Sequence, residues 1–182
     1  FTGTADFDPG PATFNLTSSA GTGNYDVFVC KLDVSGNFIW AKTMPGITFD
    51  EWAYSVAVDK NNNIYITGGF YSTVDFDPGA ATFNITAAGS SDIFICKLDA
   101  NGNFIWAKAM GGTNADVGES ITITENGNVY ATGYFYDTAD FDPGTATFNL
   151  TSSAGGSDFF VSKLDSSGNF IWAKGMGGIS PD

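Results

Sequence analysis

The sequence predicts an all-β fold made of repeated four-stranded antiparallel sheets that stack face to face. Three observations predict it: a unit of about 66 residues recurs, short alternating or β-branched segments flank Asn-Gly turns, and no apolar series recurs at the 3.6-residue spacing of a helix. Each element of this prediction follows from particular residues, beginning with the repeat.

The repeat is visible in tryptophan and aspartate. A Trp-Ala-Lys triplet occurs three times at intervals of 66 residues, and an aspartate before an apolar run follows the same interval. These residues are Trp40, Trp106 and Trp172, and Asp26, Asp92 and Asp158. A fixed period of tens of residues indicates a repeat architecture. We expect a partial unit over residues 1–50, with strands two to four, and full units over 51–116 and 117–182.

Each full unit contains two hairpin signals. One pair of strand-like runs flanks Asn126-Gly127-Asn128, and another flanks Asn101-Gly102. Asn-Gly between such runs is a strong hairpin signal because both residues tolerate positive φ. The predicted strands lie at about 120–124 and 129–136 and, in the preceding copy, at about 92–98 and 103–109.

Apolar residues occupy both faces of the strand predicted over residues 93–98. Because side chains alternate along a strand, Phe94, Cys96 and Leu98 lie on one face, and Ile93 and Ile95 lie on the other. Each sheet therefore needs cover on both sides. Four-stranded sheets stacked around an axis meet this need, which is the β-propeller architecture with one sheet, or blade, per repeat.

The segment Asp-Phe-Asp-Pro-Gly occurs three times between the second and third strands, beginning at Asp6, Asp75 and Asp140. Pro followed by Gly suits the central positions of a type II turn, and an Asp before Pro can accept a backbone hydrogen bond. We expect a hairpin that projects from the blade or extends its outer edge.

A calcium site is the second hypothesis for the same segment. Two carboxylates at i and i+2 on one strand face repel each other unless water or a cation lies between them. The candidate ligands are Asp6 and Asp8, Asp75 and Asp77, and Asp140 and Asp142. Calcium binds six to eight oxygens, so Asp158 or a neighbouring copy would have to complete the shell. No other cofactor is indicated.

The composition argues against catalysis and against nucleic acid. The chain has no histidine, so it lacks an imidazole base or metal ligand. Paired aspartates can hydrolyse glycosides. However, a catalytic pair is expected in one unit only, whereas these pairs recur in every unit. The formal charge of −13 would repel phosphate backbones. No segment has the roughly 18–20 apolar residues of a membrane span.

The tryptophans are candidates for contacts with a ligand. The repeated tryptophans are expected in the core, and sugar-stacking platforms are the alternative for them. Trp52 has Val117 in its place in the next copy, so Trp52 is the candidate ligand contact.

Cys30 and Cys96 occupy equivalent positions on sheets about 10 Å apart, farther than the roughly 7 Å that a disulfide spans. We expect two buried free thiols.

The pattern D-x-F-x-x-K-L-D-x-x-G-N-F-I-W-A-K-x-M-G-G, followed by an alternating strand and N-x-x-Y-x-T-G-x-F, resembles the bacterial seven-bladed β-propeller (SBBP) repeat. The variety with Asp-Phe-Asp-Pro-Gly is similar to repeats of very large secreted or surface proteins of Bacteroidetes. The resemblance implies a propeller, export, often by type IX secretion, an extracellular or cell-surface location, and adhesive or structural roles. The family has no common activity, so the resemblance implies no catalytic residues.

A seven-bladed ring needs about 460 residues, so this chain holds fewer than three blades of an incomplete ring, and we expect an excerpt of one propeller domain. The predicted function is a non-catalytic structural or adhesive module. Its expected partners are other repeats of the parent chain, copies of itself, or cell-surface glycans or proteins. The alternative is a lectin-like propeller with one shallow site per blade, and a third hypothesis is a polysaccharide-active enzyme with catalytic residues elsewhere.

Overall fold

The computed structural model describes residues 1–19, 23–46, 50–153 and 156–178, which form β-strands and no helix. The strands are β1 (Thr4–Asp6), β2 (Asn15–Thr17), β3 (Val27–Leu32), β4 (Phe38–Met44), β5 (Glu51–Val58), β6 (Ile64–Asp75), β7 (Asn84–Leu98), β8 (Phe104–Gly112), β9 (Val117–Ile123), β10 (Val129–Tyr136), β11 (Thr138–Asp140), β12 (Asn149–Thr151), β13 (Ser157–Leu164) and β14 (Phe170–Met176). The all-β prediction is confirmed. Within the described part of the chain, no helix could cross a membrane.

The strands form antiparallel sheets of two to six strands. One sheet has the order β12-β11-β8-β7-β6-β5, a second has the order β14-β13-β10-β9, and β1 pairs with β2 and β3 with β4. The strands β5–β8 and the second sheet are the predicted four-stranded blades. The described strands do not close a ring, so the fold is that of a partial propeller.

The predicted hairpin turns are confirmed. The Asp99 N–H donates to the Asn103 carbonyl at 2.8 Å, and Gly102 has a φ of 76°. Asp99 Oδ1 accepts bonds from the N–H groups of Asn101 and Asn103. The bonds from Asn103 lower the pKa of Asp99 because they stabilise its charged form. A single aspartate therefore satisfies the donors of the turn, and Asp33 and Asp165 do the same in the other units.

The strand that precedes the Asn101-Gly102 turn shows the longest departure from the predicted bounds. The strand β7 begins at Asn84, earlier than the predicted residue 92, because the return arm of the Asp-Phe-Asp-Pro-Gly hairpin continues directly into it. Thr73 of β6 pairs with Thr86 in this extension, and their hydroxyl oxygens are 2.7 Å apart. One long ribbon therefore carries both the blade and its hairpin.

Both faces of the middle blade are covered, as predicted. Phe94, Cys96 and Leu98 join one core cluster with residues of the first unit, and Ile93 and Ile95 join a second cluster with residues of the third. The contributors from the first and third units include Val27, Met44, Phe160 and Leu164. Burying one such side chain stabilises the fold by about 1.5–3 kcal/mol. The units hold one another together by this stacking.

The two cysteines are free thiols, but only Cys96 is fully buried. The prediction that Cys30 is buried is wrong, because the face of β3 that carries it is covered only in part, by residues such as Phe7, and not by a described blade. Burial raises the pKa of both thiols.

Candidate functional site

The Asp-Phe-Asp-Pro-Gly segment forms a hairpin tip in which two aspartates bind backbone N–H groups. Asp140 Oδ1 accepts bonds from Asp142 at 3.0 Å and Phe148 at 2.8 Å, and Asp142 Oδ1 accepts one from Gly144 at 2.8 Å. The Phe141 N–H donates to the Phe148 carbonyl at 3.0 Å and closes the loop. The other two copies repeat these bonds, with Asp6 and Asp8 and with Asp75 and Asp77.

The expected type II turn is wrong. That turn needs positive φ at the glycine, whereas Gly10, Gly79 and Gly144 lie outside the positive-φ region. The loop is wider because aspartate side chains, rather than the carbonyl of a tight turn, accept the hydrogen bonds of its N–H groups.

The calcium hypothesis for these aspartates stays a prediction. One oxygen of each already accepts backbone hydrogen bonds, and in Asp6 the bonds from Phe14 and Asp8 lower the pKa of the carboxyl. The described residues contain no group of three or more cysteines, aspartates or glutamates that could hold a metal. A calcium ion here would need most of its ligands from carbonyl oxygens and water.

The hairpin joins neighbouring units. The strand β11 pairs with β8 of the preceding unit through Ala139 with Gly112 and Asp140 with Gly111. A Cβ at Gly112 would stand 2.2 Å from the Thr138 carbonyl oxygen, so this close approach requires glycine. Of the two expectations for the hairpin, the extension of an outer edge is the one observed. The edge belongs to the preceding blade rather than to the hairpin's own.

Trp52 lines a groove between the first and second units. The groove has a volume of about 450 Å³, and its walls come mainly from β3 and β5. Trp52 is half-buried and packs edge-on against Tyr71, with ring centroids 5.5 Å apart. Tyr54 on the same wall is 56% exposed and Phe28 on the opposite wall is 45% exposed. Trp52 therefore belongs to an accessible aromatic surface, and its role as a ligand contact stays a prediction.

The strand edge that faces this groove lacks a partner among the described strands. In the second unit, β7 pairs with β6 on one edge and with β8 on the other, whereas β3 pairs only with β4. An unpaired edge presents a row of N–H and C=O groups that another chain can join. Because residues 27–30 line the groove, it combines apolar walls with backbone hydrogen-bonding groups.

Two of the three repeated tryptophans, Trp40 and Trp106, pack on the turn of the next unit. The Trp106 Nε1–H donates to the Ser166 carbonyl at 3.3 Å, and Lys97 Nζ donates to the same oxygen at 3.1 Å. The equivalent contacts one unit earlier are those of Trp40 with Gly102 and of Lys31 with Ala100. These half-buried tryptophans are interface residues, which disfavours the sugar-platform alternative for them. Sequence reasoning missed the lysine partners, although the lysines recur with the repeat.

Sequence reasoning also missed a pair of buried carboxylates at each described junction between units. Asp92 and Asp116, between the second and third units, are 4% and 0% exposed. Asp26 and Glu51, between the first and second, are both 2% exposed. The recurrence of Asp26, Asp92 and Asp158 at intervals of 66 residues was the available signal, but it did not reveal the second carboxylate of each pair.

Burial dominates the electrostatics of these pairs. It raises the pKa of Asp92 to about 6, that of Asp116 to about 7 and that of Glu51 to about 8, because it disfavours the charged form. The negative charge of Asp26 adds to the effect on Glu51. Their described hydrogen-bond donors are backbone N–H groups and one serine hydroxyl.

Comparison with known proteins gives distant relatives. No protein-family model matches the chain. The chain is similar to the uncharacterized WD repeat-containing protein L264 of Acanthamoeba polyphaga mimivirus, with 26% identity over 182 residues that cover 91% of this chain and 12% of that protein. It is also similar to the regulatory protein FlaEY of Caulobacter vibrioides, with 28% identity over 94 residues that cover 52% of this chain and 10% of that protein. The chain thus spans about a tenth of each relative's length. A WD repeat-containing relative and the all-β fold fit a β-propeller-type repeat.

Proposed function

We propose that this chain is a non-catalytic, protein-binding structural module of a large extracellular or cell-surface protein, and that the groove beside Trp52 is a contact surface. The observations that support the proposal are the stacked repeats, the similarity to a WD repeat-containing protein, and the exposed aromatic side chains beside the β3 edge that the partial first unit leaves open. Pairing of a strand with such an edge supplies backbone hydrogen bonds, and side-chain pockets beside it supply specificity.

The partner that fits the groove is a β-hairpin built like the first two strands of another repeat. In the second unit, β6 supplies the strand that pairs with β7, through Gly69 with Ile93 and Thr67 with Ile95. A hairpin in the same register would pair with β3 and cover Phe28. Other repeats of the parent chain and further copies of this chain carry such hairpins, which supports structural or adhesive assembly.

The proposed location and partners follow from charge and from the resemblance to SBBP repeats. The formal charge of −13 favours solubility and disfavours nucleic acid. The similarity to repeats of secreted Bacteroidetes proteins supports export and a surface role.

Antibody labelling tests the proposed location. An antibody against this chain should label intact cells that make the parent protein, and labelling only after permeabilisation would contradict the proposed location.

A synthetic hairpin tests the proposed groove. A labelled peptide of residues 117–136, which contains β9 and β10, should bind the 182-residue chain saturably in fluorescence anisotropy, whereas a scrambled peptide should not. Phe28→Asp should weaken binding at least about tenfold because the hairpin would bury an unpaired charge. Phe159→Asp is the matched control, since Phe159 is 43% exposed and lies in the third unit.

Four outcomes would contradict the proposal. Absence of peptide binding, or equal loss in both variants, would exclude this groove as a hairpin site. Glycan-array binding that Trp52→Ala abolishes, without peptide binding, would favour the carbohydrate-binding alternative, for which the half-exposed Trp52 is the supporting observation. Cleavage of a polysaccharide by the parent protein would contradict the non-catalytic role.

A further inference from the structure

We infer that the buried carboxylate pair at each junction between units binds a divalent cation of the calcium class. These sites are distinct from the hairpin aspartates, because they lie between stacked blades. The best example joins Asp92, at the start of the blade portion of β7, to Asp116, which precedes β9 of the next unit.

Both carboxylates of this junction lie against Gly111 and therefore close to each other. A Cβ added to Gly111 would lie 2.7 Å from Asp92 Oδ1 and 3.0 Å from Asp116 Oδ2. Asp92 Oδ1 is buried and has no hydrogen-bond partner among the described residues. An unsatisfied anionic oxygen in such a position is costly unless a cation or a proton neutralises it.

The other junction also holds an unsatisfied buried carboxylate, but there it is Glu51, the counterpart of Asp116, rather than the counterpart of Asp92. Neither carboxylate oxygen of Glu51 has a partner within the described part of the chain, and both are buried. The neighbouring Asp26 accepts bonds from Ser19. In the third unit, Asp158 Oδ1 is likewise buried without a described partner. A feature that recurs in every unit, with an unsatisfied buried oxygen each time, is what a repeated ligand site requires.

Backbone hydrogen bonds to Asp116 support its charged form and oppose the effect of burial. Asp116 Oδ2 accepts the Gly112 N–H at 2.7 Å, and Asp116 Oδ1 accepts the Tyr136 N–H at 3.0 Å. Such bonds stabilise the ionised carboxylate. The recurrent lysine Lys97 donates to the Ser166 carbonyl at the other end of the strand. A cation between Asp92 and Asp116 would neutralise both and link the two blades.

The donor set indicates the class and strength of binding. It consists of oxygen alone, which suits calcium or magnesium rather than a metal that prefers nitrogen or sulfur. Two carboxylates are few for calcium, so carbonyl, hydroxyl and water oxygens would complete its shell. We expect a Kd of about 0.1–1 mM, in the range of extracellular calcium modules.

Thermal unfolding with calcium and with chelator tests the inference. Calcium at 10 mM should raise the Tm of the 182-residue chain by about 5–10 °C relative to EDTA. Glu51→Gln with Asp116→Asn removes one charge from each described pair with little change of shape, and should abolish the shift. The matched control, Asp75→Asn with Asp140→Asn, changes the hairpins and should retain it.

Calcium-binding stoichiometry by equilibrium dialysis keeps the test independent of the folding of the variants. Wild-type protein should bind at least two ions, and the junction variant should bind at least two fewer. No calcium shift in the wild type, or a shift that disappears with the hairpin variant, would overturn the inference. Stabilisation by acid in EDTA without any effect of calcium would identify shared protons instead.

Discussion

The strands β3 and β7 have nearly the same sequence but different surroundings. The first reads Val-Phe-Val-Cys-Lys-Leu and the second Ile-Phe-Ile-Cys-Lys-Leu. Phe94 and Leu98 of β7 are 0% exposed, whereas Phe28 and Leu32 of β3 are 45% and 43% exposed. The difference arises because β7 has a blade on each side, while the face of β3 that carries Phe28 has none among the described residues.

This comparison shows that the repeat encodes faces that only a neighbouring unit can bury. The third unit, at the opposite end of the stack, shows the same dependence of burial on a neighbouring unit. In β13, Phe160 and Leu164 face the second unit and are 0% exposed, whereas Phe159 on the opposite face is 43% exposed. Stability in this chain therefore depends on position within the stack, and the contacts that we propose with further repeats or partners would lie on the exposed end faces.

Truncation of equivalent phenylalanines should give the largest difference. Phe94→Ala should destabilise the chain by about 3–5 kcal/mol because it leaves a cavity in a close-packed core. Phe28→Ala should cost less than about 1 kcal/mol, because nearly half of the side chain is already exposed. Urea unfolding of both variants measures this difference. Equal losses would show that β3 is covered as completely as β7.

The pH dependence of stability compares carboxyl groups that are buried between units with carboxyl groups on exposed turns. The pKa values of Asp92, Asp116 and Glu51 are raised to about 6, 7 and 8, so between about pH 4 and pH 8 the folded state holds protons that the unfolded state has lost. Their contribution is present at acid pH and is lost as the pH rises to about 8.

Turn aspartates such as Asp99 have lowered pKa values and lose their contribution only as the pH falls below about 4. In EDTA, the Tm should therefore rise by several degrees from pH 8 to pH 5 and fall again below about pH 4. Glu51→Gln with Asp116→Asn should flatten the upper part of this curve. A Tm that rises steadily towards pH 8 would contradict the burial of these carboxyl groups.

Thiol labelling should give the clearest difference between the first and middle blades, although it involves the smallest change in the stability of the protein. Cys30 is partly exposed and Cys96 is buried, so a thiol reagent at pH 8 should label one cysteine rapidly and the second only on unfolding. Cys30→Ser should remove the fast phase, and Cys96→Ser should retain it. Equal labelling rates in the native protein would show that the middle blade opens as readily as the first.

The candidate sites were predictable only in part. The hairpin aspartates and Trp52 were singled out from the sequence because they stand in recurring or unmatched positions, and their roles as ligands stay predictions. The junction pair of Asp92 with Asp116 was not found, since the two residues are well separated in the sequence and meet only where the second unit joins the third. The lysine contacts with the next turn, such as Lys97 with Ser166, were missed for the same reason.

The sequence by itself determined the strands, the Asn-Gly turns and the need for cover on both sheet faces, because these depend on local φ preferences and on the two-residue period of a strand. Tertiary structure alone decided which faces are covered, that the hairpin of β11 joins the blade before it, and that carboxylates of successive units meet. These outcomes depend on contacts between residues far apart in the chain, which no local pattern specifies.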